Sequence, residues 1–221
     1  MTANDRYTRP RAGAAALILI DVQRDFIDTA GNPGDRAPMP VAGTRAAIPA
    51  MAQLAAAFRR RGLPIVHVIR LYLPDGSNAD LVRRESIARG ARIAVPGSAG
   101  SQIVTELLPK SVELEHELLL VGGFQRVGAA EHVMYKPRWG AFYGTALERH
   151  LRENGSDTLV FAGCNFPNCP RTSIYEASER DFRIVLVSDA ISGLYDRGVA
   201  ECRAIGADVL SLSETLDWLG C

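Results

Sequence analysis

Three residue types that can move a proton or attack a carbonyl stand at the ends of three apolar stretches of this chain. Asp21 follows the run Ala-Ala-Ala-Leu-Ile-Leu-Ile at 14–20, Lys136 closes 132–136, and Cys169 lies between 158–162 and a segment opening with Pro170. In open parallel sheets, ligands bind beyond the carboxyl ends of the strands, so all three are expected at one rim. Proline favours the first position of a helix, which makes Cys169 the expected N-cap of a helix over 170–180. The positive end of that helix stabilises a thiolate, and a nearby Lys lowers the thiol pKa further. Phe166 precedes Pro167 and is pushed out of the helical region, so 165–168 is a bent loop. Its backbone N–H groups and that of Cys169 can point at one spot, an oxyanion hole. A partly buried Asp21 would take the thiol proton and later return it. Each residue also has a plainer reading: a small buried Cys at a helix start, an acid capping a turn, a solvated Lys.

The elements that must position these residues alternate. Apolar runs at 14–20, 64–69, 132–136, 158–162, 183–187 and 208–211 read as six strands, most of them too continuous to face water on either side. Between them, helices are expected over 42–61, 144–154, 170–180, 198–205 and 214–219, the first ending in Arg59-Arg60-Arg61-Gly62. Residues 101–108 are a further candidate helix. The stretch 71–130 is otherwise ambiguous, and 1–13 reads as a mobile arm. Strand–helix alternation gives an α/β, three-layer, Rossmann-like sandwich: a mostly parallel six-stranded sheet with helices on both faces, in a single domain over 1–221.

Composition narrows the function. The chain has 221 residues, 47% apolar and 23% charged, with 25 basic and 25 acidic side chains. Such a balance supplies a core and no net field for nucleic acid or an anionic membrane surface. No apolar run approaches the roughly 18–20 residues that span a bilayer. The N-terminal stretch lacks a cleavage region and is not expected to be a signal peptide. The four Cys (164, 169, 202, 221) show no framework spacing, so free thiols in a reducing cytoplasm are expected.

The segments Ile18-Leu19-Ile20-Asp21-Val22-Gln23-Arg24-Asp25-Phe26, Lys136-Pro137-Arg138-Trp139-Gly140-Ala141-Phe142-Tyr143-Gly144-Thr145-Ala146-Leu147, and 158–169 carry a resemblance. In this order and spacing they resemble the isochorismatase-like cysteine hydrolase superfamily, which includes nicotinamidases and N-carbamoylsarcosine amidohydrolase. The resemblance runs from 14 to about 211. It implies Asp21 as general base, Lys136 as supporting cation and Cys169 as acylated nucleophile. It also implies a cis peptide at Cys164–Asn165, an oxyanion hole from the amides of Asn165 and Cys169, and homodimers or homotetramers.

Two departures matter. Many members read T-N-x-C-V around the nucleophile, whereas this chain reads Phe166-Pro167-Asn168-Cys169-Pro170. Nicotinamidases carry D-x-H metal ligands after the second strand; here the region reads Arg70-Leu71-Tyr72-Leu73-Pro74-Asp75. His67, His116, His132 and His150 then read as structural or surface residues, and neither metal nor cofactor is expected. Phe26, Trp139, Phe142, Tyr143 and Phe166 are the candidate pocket walls, with core packing as the alternative. Gln23 either hydrogen-bonds near Asp21 or is structural, and Cys164 is a small filler. Arg83, Arg84, Arg89 and Arg92 are a solvated face or the mouth of a site for an acidic or polar substrate. The expected activity is thiol-dependent hydrolysis of an amide or ureido C–N bond in a small molecule. Two alternatives stay open: a vinyl-ether hydrolase with Asp21 as acid, and a non-enzymatic ligand-binding or redox-sensing module. No G-x-G-x-x-G or G-x-x-x-x-G-K-[ST] occurs, which weakens a nucleotide role.

Overall fold

A computed structural model describes residues 6–27 and 39–221. The run after Ala14 forms β1 (Ala15–Ile20), and every one of its six side chains is buried. Alternate residues enter opposite layers. Ala15, Leu17 and Leu19 pack with Met51, Leu54 and Phe58 of α1 (Thr44–Arg60). Ala16, Ile18 and Ile20 join a second cluster on the other face, with Leu147 and Leu151 of α4 (Leu147–Glu153) and Ile174 and Ala177 of α5 (Cys169–Ser178). A strand apolar on both faces is what a covered parallel sheet requires.

The other strands are β2 (Ile65–Ile69), β3 (Phe124–Gly128), β4 (Glu131–Tyr135), β5 (Thr158–Gly163), β6 (Arg183–Ile191) and β7 (Asp208–Leu210). Their order across the sheet is β3-β4-β2-β1-β5-β6-β7, parallel throughout except for the β3–β4 pair. Helices α6 (Asp196–Ala204) and α7 (Leu212–Leu219) complete the layers. From β1 the chain builds outward through β2 and β4, then returns to place β5 on the other side of β1. That reversal opens a crevice beyond the carboxyl ends of β1 and β5.

Three expectations are corrected. Among the described residues the sheet has seven strands, because the ambiguous region supplies β3 as an antiparallel edge. Its pattern is half-exposed around Arg126, too polar to stand out as a buried strand. Residues 101–108 are not one helix but two single 3-10 turns, Ala99–Ser101 and Thr105–Leu107, separated where Ile103 bridges to Gln23. Of the expected mobile arm, residues 6–13 are described and partly anchored. Pro10 is buried, the Arg11 amide donates to Thr158 Oγ1 at 3.0 Å, and its guanidinium pairs with Asp157. The same ambiguous region also holds α2 (Leu81–Ala88) and α3 (His116–Leu120). No helix among the described residues is long and apolar enough to cross a membrane.

Candidate active site

Asp21 is the first residue past β1, with its amide donating to Val68 O at 2.9 Å. Its φ of +54° lies in the left-handed region, uncommon for any residue but Gly and most tolerated by Asn and Asp. One residue of reversed backbone turns the carboxylate across the sheet end. Lys136 follows β4, two strands away, with its amide on Ile69 O at 3.0 Å. Its fully buried ammonium donates to Asp21 Oδ2 at 2.9 Å and to Arg138 O at 3.4 Å. Burial pulls the Lys136 pKa down, but the facing Asp21 and Cys169 outweigh it and hold the pKa above the ordinary lysine value. The second carboxylate oxygen, Asp21 Oδ1, is buried and has no hydrogen-bond partner among the described residues. A buried oxygen left without a donor is costly, and it is open to a hydrogen bond from a neighbouring S–H or a ligand.

Cys169 is the first residue of α5, with Asn168 as the N-cap and Pro170 second, so the expected capping role moves one residue upstream. The residue is partly exposed at the cleft floor, while its sulfur sits in dense surroundings near both Asp21 and Lys136. Those surroundings reverse the expected pKa direction. Burial pushes the thiol up to about 12; the Asp21 charge adds to this, and Lys136 offsets only part. The resting group is therefore a neutral thiol beside a carboxylate–ammonium pair. Desolvation outweighs the helix terminus and the lysine.

The loop ahead of α5 has a simple hydrogen-bond account. Cys164 N donates to Ile20 O at 2.8 Å, Phe166 N to Ser192 O at 2.8 Å, and Asn168 N to Asn165 O at 3.1 Å. Pro167 has no N–H. That leaves the amides of Asn165 and Cys169, which donate to nothing among the described residues. The Cys164–Asn165 bond, expected to be cis, is trans. A non-proline cis bond costs about 2.5–4 kcal/mol, and this loop frees both amides without one.

The lysine loop is tied to the helix that carries the thiol. Ser173 Oγ donates to Cys169 O at 2.7 Å and accepts from Ala141 N at 3.0 Å, while Glu176 accepts from Phe142 N at 2.9 Å. A Cβ at Gly140 would lie 2.2 Å from the Glu176 carboxylate, so a side chain there would have to displace it from Phe142 N. Ser173 and Glu176 escaped the sequence reading; their one signal is the i+4 and i+7 spacing from Cys169. Gln23 proves structural: fully buried, its amide nitrogen donates to Arg70 O and Ser101 O and its oxygen accepts from Arg70 N, each at 2.8 Å.

A cleft of about 420 Å³, counting its open mouth, ends on this group. Asp21, Cys169 and Asn165 line it, as do Phe26 and Trp139 among the expected walls. The other three expected walls lie elsewhere. Phe142 is buried against Phe182, Phe166 is wholly buried and packs edge-on to Tyr195, and Tyr143 is exposed outside the cleft. Cys164 does flank the active loop, and burial pushes its thiol up to about 11. Sequence reasoning missed Arg70, Tyr72 and Asp80 on the wall. The Arg70 guanidinium, buried behind the cleft, donates to Asp80 Oδ2 at 2.6 Å and to Lys136 O at 3.0 Å. It therefore braces the lysine backbone. No cluster of three or more metal-ligating side chains occurs among the described residues.

A family model, the isochorismatase domain, matches residues 15–214. Among solved structures, an isochorismatase family protein from Desulfovibrio vulgaris is 32% identical, with a TM-score of 0.77 over 94% of this chain and 99% of its own. The N-carbamoylsarcosine amidase of Thermoplasma acidophilum is 28% identical, with a TM-score of 0.66 over 90% and 96%. The maleamate amidohydrolase of Pseudomonas putida is 28% identical over 178 residues, 80% of this chain and 71% of that protein.

Proposed function

The chain belongs to the isochorismatase family of hydrolases, and on that premise we propose that it is a cysteine amidohydrolase cleaving a C–N bond of a small amide or ureide. The observation that carries this reading is the meeting of Asp21 past β1, Lys136 past β4 and Cys169 at the start of α5, with Asp21 and Cys169 on the wall of one cleft and Lys136 held against Asp21. Amidohydrolase and amidase relatives support the reaction class.

Asp21 Oδ1 removes the thiol proton as Cys169 Sγ attacks the substrate carbonyl. A thiolate formed only at the moment of attack suits a thiol held at about 12. Lys136 donates to the carboxylate at 2.9 Å and faces the growing sulfur charge. The oxyanion of the tetrahedral intermediate takes the N–H groups of Asn165 and Cys169, donors of a kind worth roughly 10²–10³ in kcat each. Collapse breaks the C–N bond and Asp21 returns the proton to the departing ammonia or amine, leaving a thioester. Water, deprotonated by the same carboxylate, attacks the thioester; the acid leaves and the thiol is restored. Cys169→Ala is the test, with ammonia release across a panel of small amides and ureides as readout. The expected outcome is a folded protein without turnover; wild-type rates in that variant would remove the thiol from the mechanism.

A further inference from the structure

Among the described residues, the charges at the cleft pair off, with one exception. Asp21 is held by Lys136 at 2.9 Å and Asp80 by Arg70 at 2.6 Å. The other cation lining the cleft besides Arg70, Arg83, has no ion pair and no side-chain hydrogen bond among the described residues. It sits in the first turn of α2, and its amide donates to Asp80 O at 2.9 Å. The described acids beside it on the chain, Asp80 and Glu85, are committed elsewhere. The Asp80 side chain, at the N-cap position, does not cap its helix but turns to Arg70 and to Tyr72 at 3.3 Å. Glu85 pairs with Arg89 at 2.7 Å. The lining of Phe26, Met39, Val41 and Trp139 keeps the remaining surface largely apolar. A guanidinium is planar, permanently charged and suited to a carboxylate in bidentate fashion.

Resting on the amidohydrolase reading, we propose that Arg83 is the anion anchor of the cleft and that the substrate is an amide or ureide bearing a carboxylate away from the scissile carbonyl. With Lys136 counted as the partner of Asp21, the described residues leave one net positive charge at the cleft for the ligand to neutralise. A neutral amide of the same shape would leave the guanidinium unmatched. Selectivity then comes from the charge on the far end of the substrate.

The test is binding, so that it does not depend on turnover. Full-length Cys169→Ala protein is titrated calorimetrically with matched pairs: succinamate and succinamide, glutaramate and glutaramide, N-carbamoylglycine and its amide. The acid of at least one pair is expected to bind about 10- to 100-fold more tightly than its neutral partner, the range of a charge-assisted hydrogen bond. Arg83→Ala in that background should erase the difference and leave the neutral amide unchanged. Arg83→Lys should retain part of it. Neutral amides binding as tightly as the acids, no binding by any acid, or an acid preference that survives Arg83→Ala would each overturn the assignment. Failure of the amidohydrolase reading shows separately, as absence of ammonia release by the intact enzyme.

Discussion

Replacing Asp21 by Asn should make Cys169 more reactive toward an alkylating agent and almost inert toward its substrate. The opposition follows from the site's electrostatics. The thiol sits at about 12 because it is buried and because Asp21 opposes a second negative charge, with Lys136 offsetting only part. At pH 8 such a thiol is ionised in roughly one molecule in 10⁴, against about a quarter for a free cysteine near 8.5. Removing the carboxylate charge lifts one opposing influence and leaves Lys136 facing the sulfur alone. Each unit of pKa lost multiplies the thiolate tenfold, about 1.4 kcal/mol. Asn suits the position, since its short polar side chain tolerates the left-handed backbone at +54°. Cys169 alkylation by iodoacetamide is therefore expected to accelerate about tenfold or more, while turnover falls by about 10²–10⁴, the usual worth of a general base. Peptide-level mass spectrometry is needed to separate Cys169 from the exposed Cys221. Slower alkylation in the variant would refute the electrostatic account. Faster alkylation with undiminished turnover would refute the role of Asp21 as base.

Three further outcomes follow from buried and half-buried groups. Lys136→Met strands a buried carboxylate and should cost about 3–5 kcal/mol in urea unfolding; adding Asp21→Asn should recover most of it, and a purely additive double variant would contradict the pairing. Gly163→Ala should destabilise the protein by about 2–5 kcal/mol and misalign the site, because φ is +126° and the new Cβ would stand 2.3 Å from Ile20 O; a wild-type thermal midpoint would count against that geometry. His132 and His150 have rings 4.8 Å apart, and burial first, then neighbouring positive charge, lowers both pKa values. The unfolded chain binds these protons more readily, so their contribution is present above about 6.5 and is lost as pH falls below it. His150→Phe, which keeps the stack on Phe124, should flatten the stability profile between pH 7 and 5, and an unchanged slope would argue against the pair.

The residues meeting at the crevice were legible because each ends an apolar run, and a parallel sheet delivers run ends to one edge. The fold was legible for the same reason, β1 being buried on both faces. The aromatic walls were not. Phe26, Trp139, Phe142 and Phe166 are alike as residue types, and only packing decides that two face the cleft while two fill the core. The thiol's direction of shift was also hidden, since a helix start and a nearby lysine are visible in sequence whereas the desolvation that outweighs them is not. Arg70 and Asp80, ten residues apart in a stretch without clear periodicity, become a pair only in three dimensions.

Rapid-quench mass spectrometry of the enzyme with a small amide substrate tests the central claim most directly. A transient adduct is expected on the peptide containing Cys169, equal in mass to the substrate less its departing ammonia or amine, and absent from Cys169→Ala. Steady turnover of the amide with Cys169 unmodified at every time point, and persisting after its replacement, would contradict it.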